Sequence, residues 1–481
     1  MELRVTTRES RGGRGPLPVP ISPLSCKERG QGVRLGGCGL LLVLLASPLL
    51  AQPAARARPV TLSNGLQVLG YEDRSTDLVA VFLALKVSAA AESPDLHGAR
   101  DLLQEALRYS LTRQLLAAPP GLALTAALVT ERGLDVGTEW DFLSLSAVCP
   151  RAELRPLLAR LGQTVFRDPL APEALAAARL QTAREWERYQ SNPLEDTYYL
   201  FRRALLGSGG AAQPIYPDPA TCDALTLDKL EAFRDRNFVS GAALLVLDGP
   251  DQPGPLVADA AAALADVPRA PAPAAWPPAY PPRPARTRVA GNRLLRVGDV
   301  ERASLIMGYR FPLPGDPDYP AALVLFEMLA GAQGALETNQ PLRAALIAGA
   351  WMRPQATGLP LQLFGPSLSA APYVAVHVQM NPNAVDPVHQ ALQNAFAGVR
   401  TVLSDPAALA RAQQRALVSL ALIGLRPADR AQRLGEWALF ARPGADLRDL
   451  PARLRAVKPA DLKRVADRCF AQEYIGVQMP E

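Results

Sequence analysis

Apolar positions along this chain follow two periods, and the switch between them marks the elements. Residues 60–69 read as strand, turn and strand, with Asn64-Gly65 at the turn. Residues 78–87 form an apolar run that predicts a buried strand. From Gly98 the period changes: Leu102, Leu103, Ala106 and Leu107 recur at helical spacing and predict a helix with one buried face. Residues 133–148 alternate around Trp140 and Phe142 and predict a strand. Helices are predicted over 153–166 and 172–188, the second stopped by Ser191-Asn192-Pro193. A short helix at 225–233 and an apolar strand at 242–247 complete this half.

Between Pro268 and Pro284, eight of 17 residues are proline. Neither a helix nor a sheet interior tolerates that density, so an extended, semi-rigid linker is predicted. Beyond it the pattern returns. Residues 303–311 are strand-like, and Asp316-Pro317-Asp318 repeats the turn of Ser93-Pro94-Asp95 at an offset of 223. The helix at 321–329 repeats the earlier one, and Val457-Lys458-Pro459-Ala460-Asp461-Leu462 echoes Leu225-Thr226-Leu227-Asp228-Lys229-Leu230 at an offset of 232. Two offsets this close predict two copies of one unit. The fold class is therefore α+β: two homologous α/β halves, each an antiparallel sheet with packed helices, joined by a Pro-rich linker. The boundaries are 1–57 for an N-terminal extension and signal peptide, 58–265 for the first half, 266–290 for the linker and 291–481 for the second half.

The first 57 residues change the charge picture. Arg34, the apolar run 38–46 and the small residues ending Ala55-Arg56-Ala57 form a secretory n-region, h-region and cleavage site. The apolar run is short for a bilayer span, which takes about 20 residues. A cleaved signal is the first reading, with an uncleaved anchor and a core segment as alternatives. The Arg-, Gly- and Pro-rich prefix 1–32 points to a start near Val33. The whole chain carries 51 Lys/Arg and 46 Asp/Glu. The leader holds eight of the former and three of the latter, leaving 43 of each and no net charge. The basic pI of 9.0 belongs to the leader, and bulk-charge binding of nucleic acid loses its support. Cys149, Cys222 and Cys469 remain after the leader. They form no disulfide framework and no zinc cluster; one Cys149–Cys222 bridge or three unpaired core thiols are the two readings.

The helix after Gly98 carries the chemistry. Its sequence, LHGARDLLQEAL, resembles the first helix of the insulinase (pitrilysin) family of zinc metallopeptidases, which includes the mitochondrial processing peptidase. The resemblance covers nearly all of residues 58–481. Its best local matches are Leu62-Ser63-Asn64-Gly65-Leu66, this helix, residues 185–193 and residues 225–247. In the family the helix bears H-x-x-E-H: two His hold zinc, and the Glu is general base to the metal-bound water. The aligned residues here are Asp101, Gln104 and Glu105. Both His ligands are replaced and the base has become an amide, which accepts no proton near neutral pH. The resemblance implies a third ligand at Glu185, in Glu185-Trp186-Glu187-Arg188-Tyr189-Gln190-Ser191-Asn192-Pro193, and alone that residue cannot hold zinc. A rebuilt metal site from His97, Asp101, Glu105 and Glu185 is the alternative; a solvated polar face left from a lost site is the plainer reading.

Some two-chain members of the family divide labour. One chain carries zinc and the other engages substrate through an Arg and a Tyr of its second half. The matching stretch is LRAALIAGAW, with Trp351 near the Tyr position and Arg343 or Ile347 near the Arg. Trp351 packs either a substrate chain or the core. His377 and His389 stand alone and read as surface or strand-end residues. There is no G-x-S-x-G, P-loop or Rossmann glycine pattern, and Gly207-Ser208-Gly209-Gly210 reads as a flexible loop. The function expected is a catalytically degenerate subunit that pairs with a zinc-bearing homologue to bind and process peptides in the periplasm. No cofactor of its own is expected, zinc being the family's. The alternatives are a stand-alone peptide- or protein-binding module and a residual metal-dependent hydrolase.

Overall fold

A computed structural model describes residues 58–481 apart from 118, 133, 208–213, 273–292, 299, 351, 354–357 and 367. The leader, most of the Pro-rich linker, Trp351 and most of the Gly207–Gly210 loop lie outside the described residues. The first half builds a six-stranded sheet from β1 (Val60–Thr61), β2 (Gln67–Glu72), β3 (Leu78–Leu85), β4 (Asp135–Thr138), β5 (Leu143–Pro150) and β6 (Ala243–Gly249), in the order β1-β2-β6-β3-β5-β4. The second half builds β7 (Arg293–Gly298), β8 (Ala303–Arg310), β9 (Gln362–Phe364), β10 (Tyr373–Met380) and β11 (Glu473–Pro480), in the order β7-β11-β8-β10-β9. Setting β1 aside, the two orders are the same. Neither sheet is wholly antiparallel as the sequence suggests. β2 lies parallel to β6, and β7 parallel to β11. Each pair joins the first and last long strands of its half, so the intervening helices return the chain in the same direction.

Most predicted elements are present, with informative differences. The turn at Asn64-Gly65 forms, with Gly65 at φ +92°, where an L side chain is strained. Residues 133–148 are two antiparallel strands instead of one, β4 and β5, because the chain reverses at Glu139–Phe142. Trp140 and Phe142 continue the apolar alternation through the reversal, so periodicity does not mark it. Asn192-Pro193 ends the helix Pro172–Ser191 but also starts another, Pro193–Leu206. Asn192 accepts a hydrogen bond from Leu194 N, and Pro193 takes the first turn, a favourable N-terminus. His377 is 6% exposed in mid-β10, against the reading as a surface or strand-end residue. Its Nε2 lies 2.9 Å from Ser304 Oγ, and burial pushes its pKa down to about 4. His389 sits on the helix Val385–Gly398 beside Glu473. The three cysteines are free, buried thiols, and burial pushes Cys149 and Cys469 up to about 12 and Cys222 to about 11.

The helix Pro193–Leu206 touches its own half at the preceding helix and at Trp140, beneath the Arg202 guanidinium, but packs chiefly on the other half. It lies on β11, β8 and β7 of the second sheet, where Tyr198 and Phe201 pack with Ile306, Tyr373 and Tyr474. Conversely, the helix Pro427–Phe440 of the second half lies on β6 and β3 of the first sheet. Each sheet therefore has its own helices on one face and a helix from the other half on the opposite face. Glycines permit the close crossing. A Cβ on Gly435 would stand 2.5 Å from Phe82 Cδ1, and a Cβ on Gly476 would stand 2.5 Å from Thr197 O. Arg430 fastens the second-half helix to the first sheet. Its Nε and Nη2 donate to Asp248 at 2.6 and 3.1 Å, and Nη2 also reaches Asp73. Gly435→Leu is expected to cost about 1–3 kcal/mol by overpacking, read as an earlier urea midpoint. Gly254→Ala, where a Cβ meets nothing within 4 Å, serves as control; equal midpoints for both would refute the close crossing.

Candidate functional site: a buried polar cluster on the first long helix

The helix Ala99–Leu116 starts from Gly98, at φ +83°. Its first turns face inward. Arg100 and Asp101 are each 1% exposed, Gln104 5% and Glu105 8%. Buried polar groups need partners, and here the protein supplies them. Arg100 Nη1 donates to Val87 O at 3.2 Å and Glu139 O at 2.7 Å, and its Nε stands 3.6 Å from the Glu92 carboxylate. Asp101 Oδ1 accepts from Thr138 Oγ1 at 3.2 Å, and Oδ2 from Thr182 Oγ1 at 3.0 Å. Gln104 Oε1 shares that one Thr138 hydroxyl proton with Asp101, at 3.0 Å from Oγ1, while Gln104 Nε2 donates to Ser144 O at 2.5 Å. Glu105 is neutralised by Arg108, 2.6 Å away on the next turn. One helix is thereby fastened to β4, β5 and the helix Pro172–Ser191 through side chains.

The last of these runs antiparallel to the motif helix: Thr182 meets Asp101, and Glu173 lies 3.9 Å from Arg113. The residue facing the motif across the helix pair is thus Thr182, one turn before Glu185. Glu185 accepts from Gln181 at 2.9 Å and pairs with Arg188, both on its own helix. His97 Nε2 donates to Pro214 O at 2.7 Å. Among the described residues no three His, Cys, Asp or Glu side chains are placed to share a metal ion. The set His97, Asp101, Glu105 and Glu185 is therefore not brought together. Beside Gln104 lies a cavity of about 20 Å³ lined by Leu83, Leu107, Leu145, Val165 and Phe238. Its apolar lining offers a water too few partners, and its volume excludes a peptide.

Residues 224–415 match the family model described as the peptidase M16 inactive domain. That match takes in the end of the first half, the linker and much of the second half. No curated protein matches it in sequence. Its fold is similar to the peptidase M16 inactive domain from Pseudomonas fluorescens, at TM-score 0.70 and 18% identity over 88% of this chain and 98% of that one. A protease from Helicobacter pylori gives TM-score 0.68 and 17% identity over 88% and 100%. A chain of complex III2 from Candida albicans gives 0.67 and 14% over 88% and 95%.

The positions aligned with the zinc motif carry a carboxylate, an amide and a second carboxylate, each bonded within the protein. These residues do not fit the family's zinc: both imidazoles are absent, and Asp101 is already doubly bonded. No hydrolytic step can be written through Gln104, which offers no basic atom. In the second half, Arg343 is half-buried on the helix Gln340–Gly349, and Ile347 packs partly on that half's core. Sequence reasoning missed Thr138, Ser144 and Thr182. A hydroxyl or a backbone carbonyl carries no motif, and only the tertiary contact reveals its role.

Proposed function

We propose that this chain is the non-catalytic half of a peptidase pair. It joins a zinc-bearing homologue and helps hold peptides for that partner to cleave, in the periplasm, after removal of the leader 1–57. The observation that carries the reading is the motif's internal bonding: Asp101 and Gln104 are held by Thr138, Thr182 and the Ser144 carbonyl, and neither imidazole of the zinc motif is present. A fold that keeps both halves while closing this one site retains surface and loses chemistry. The likeness to a chain of complex III2 from Candida albicans supports life within an assembly. The common strand order of the two sheets supports descent of the halves from one unit.

The test is peptide cleavage by this chain, by a co-purifying zinc-bearing homologue and by their mixture. The mixture is expected to exceed the sum of the separate rates, with a complex on size-exclusion chromatography. Equal rates for homologue and mixture, without a complex, would favour the stand-alone binding module. Chelator-sensitive cleavage by this chain alone would favour the residual hydrolase.

A further inference from the structure

The turn Asp316-Pro317-Asp318 leads into the helix Tyr319–Ala330 and buries two carboxylates, Asp316 at 4% exposure and Asp318 at 8%. Two guanidinium groups would balance them. The fold supplies four, from three segments. Arg464 donates to Asp318 Oδ1 through Nε at 3.0 Å and Nη2 at 2.8 Å. Arg468 Nη1 donates to Asp318 Oδ2 at 2.9 Å, and its Nη2 is 3.5 Å from Asp316. Arg442 Nη2 donates to Asp316 Oδ2 at 3.0 Å. Arg453 Nη2 donates to the Asp316 and Pro317 carbonyls at 3.1 and 3.4 Å. Asp461, 3.0 Å from Arg464, is a third carboxylate, so the cluster keeps one surplus positive charge.

The arginines are held by their inner edges and open on their outer ones. The side chains of Arg442, Arg464 and Arg468 are each 54% exposed. Among the described residues, Nη1 of Arg442, Arg453 and Arg464 bonds to nothing. A guanidinium fixed in place loses little freedom on accepting a ligand and donates several bonds in a rigid fork. Planar carboxylates already occupy the inner edges. The outer N–H groups, contributed by separate chain segments around one turn, suit an acceptor that offers three oxygens in different directions. We infer that the arginine cradle around Asp316 and Asp318 binds a phosphoryl group, either free phosphate or the phosphate of a lipid headgroup.

The test uses the full chain. Inorganic phosphate is titrated calorimetrically, and pelleting is measured with phosphatidylcholine vesicles with and without phosphatidylglycerol. Arg453→Gln leaves Arg442, Arg464 and Arg468 on the buried carboxylates and should fold with an unchanged melting temperature, whereas Arg442→Gln removes a partner of Asp316 and should melt lower, so its binding is measured well below its own midpoint. Each is expected to weaken binding about tenfold, the share of one charge-assisted hydrogen bond. Arg442→Lys should not restore the affinity, because it returns the charge without the fork. Phosphate binding without vesicle pelleting assigns a free ligand; pelleting that phosphate reverses assigns a headgroup. Absence of both, equal binding by the variants, or preference for poly-glutamate over phosphate would each overturn the inference.

Discussion

Asp101→His, Gln104→Glu, Glu105→His and Thr182→Glu, combined in one chain, are expected to bind one zinc ion, whereas the first three alone are not expected to hold it at comparable affinity. The reason is positional. Thr182 Oγ1 lies 3.0 Å from Asp101 Oδ2, so a carboxylate at 182 faces the motif helix directly. Glu185 is one turn away and engaged by Arg188 and Gln181. Catalytic zinc takes three protein ligands and a water, and the triple variant offers only the two imidazoles. Losing one of three ligands should weaken affinity at least about a hundredfold, given that even second-shell losses cost 10–100-fold. Competition with a chromophoric chelator measures both variants. Equal affinities would return the third-ligand role to Glu185.

The second large effect is at the crossing of the halves. Arg430→Met should destabilise the chain by about 3–5 kcal/mol, the cost of stranding a buried charge. Asp248 is fully buried. Burial raises its carboxyl to about 6, against the opposing effect of Arg430. Burial is the largest single influence on Asp73 and raises its carboxyl, but the Ser75 hydrogen bonds and Arg430 together outweigh it and leave it below its ordinary value. The pH dependence follows from the Asp248 shift. A carboxyl whose folded pKa is raised takes up a proton on folding, so its contribution is fully present below the unfolded value of 3.8 and is lost as pH rises through about 6. Removing Arg430 raises that folded value further. The deficit of the variant relative to the parent should therefore be larger at pH 8 than at pH 5, by urea denaturation at both. A deficit independent of pH would show that Asp248 is not the group left stranded.

Much of the fold is legible in the sequence, because strand and helix periods follow directly from which face is buried. The strands at 78–85, 243–249 and 303–310 and the helix after Gly98 fall where the apolar pattern puts them. The helix Pro193–Leu206 escapes that reading, because Asn192-Pro193 is both a stop and a start. Its apolar stripe is satisfied only by a sheet built a hundred residues later. At the site, the losses at Asp101, Gln104 and Glu105 are legible as missing chemistry. The partners of these residues are not: Thr138 and Thr182 come from distant segments, and a buried threonine hydroxyl leaves no pattern in the sequence. His377 misleads for a similar reason, since its partner Ser304 is supplied by a strand 73 residues away.

The exchanged helices also set an order of events during synthesis. When β6 leaves the ribosome, every strand of the first sheet exists, yet the face bearing Phe82 and Val246 has no cover. The cover is the Gly435 helix, nearly two hundred residues downstream. At ordinary elongation rates that wait is roughly ten to forty seconds. For that interval the nascent chain shows a bare apolar sheet face, the kind of surface that aggregates unless it is covered.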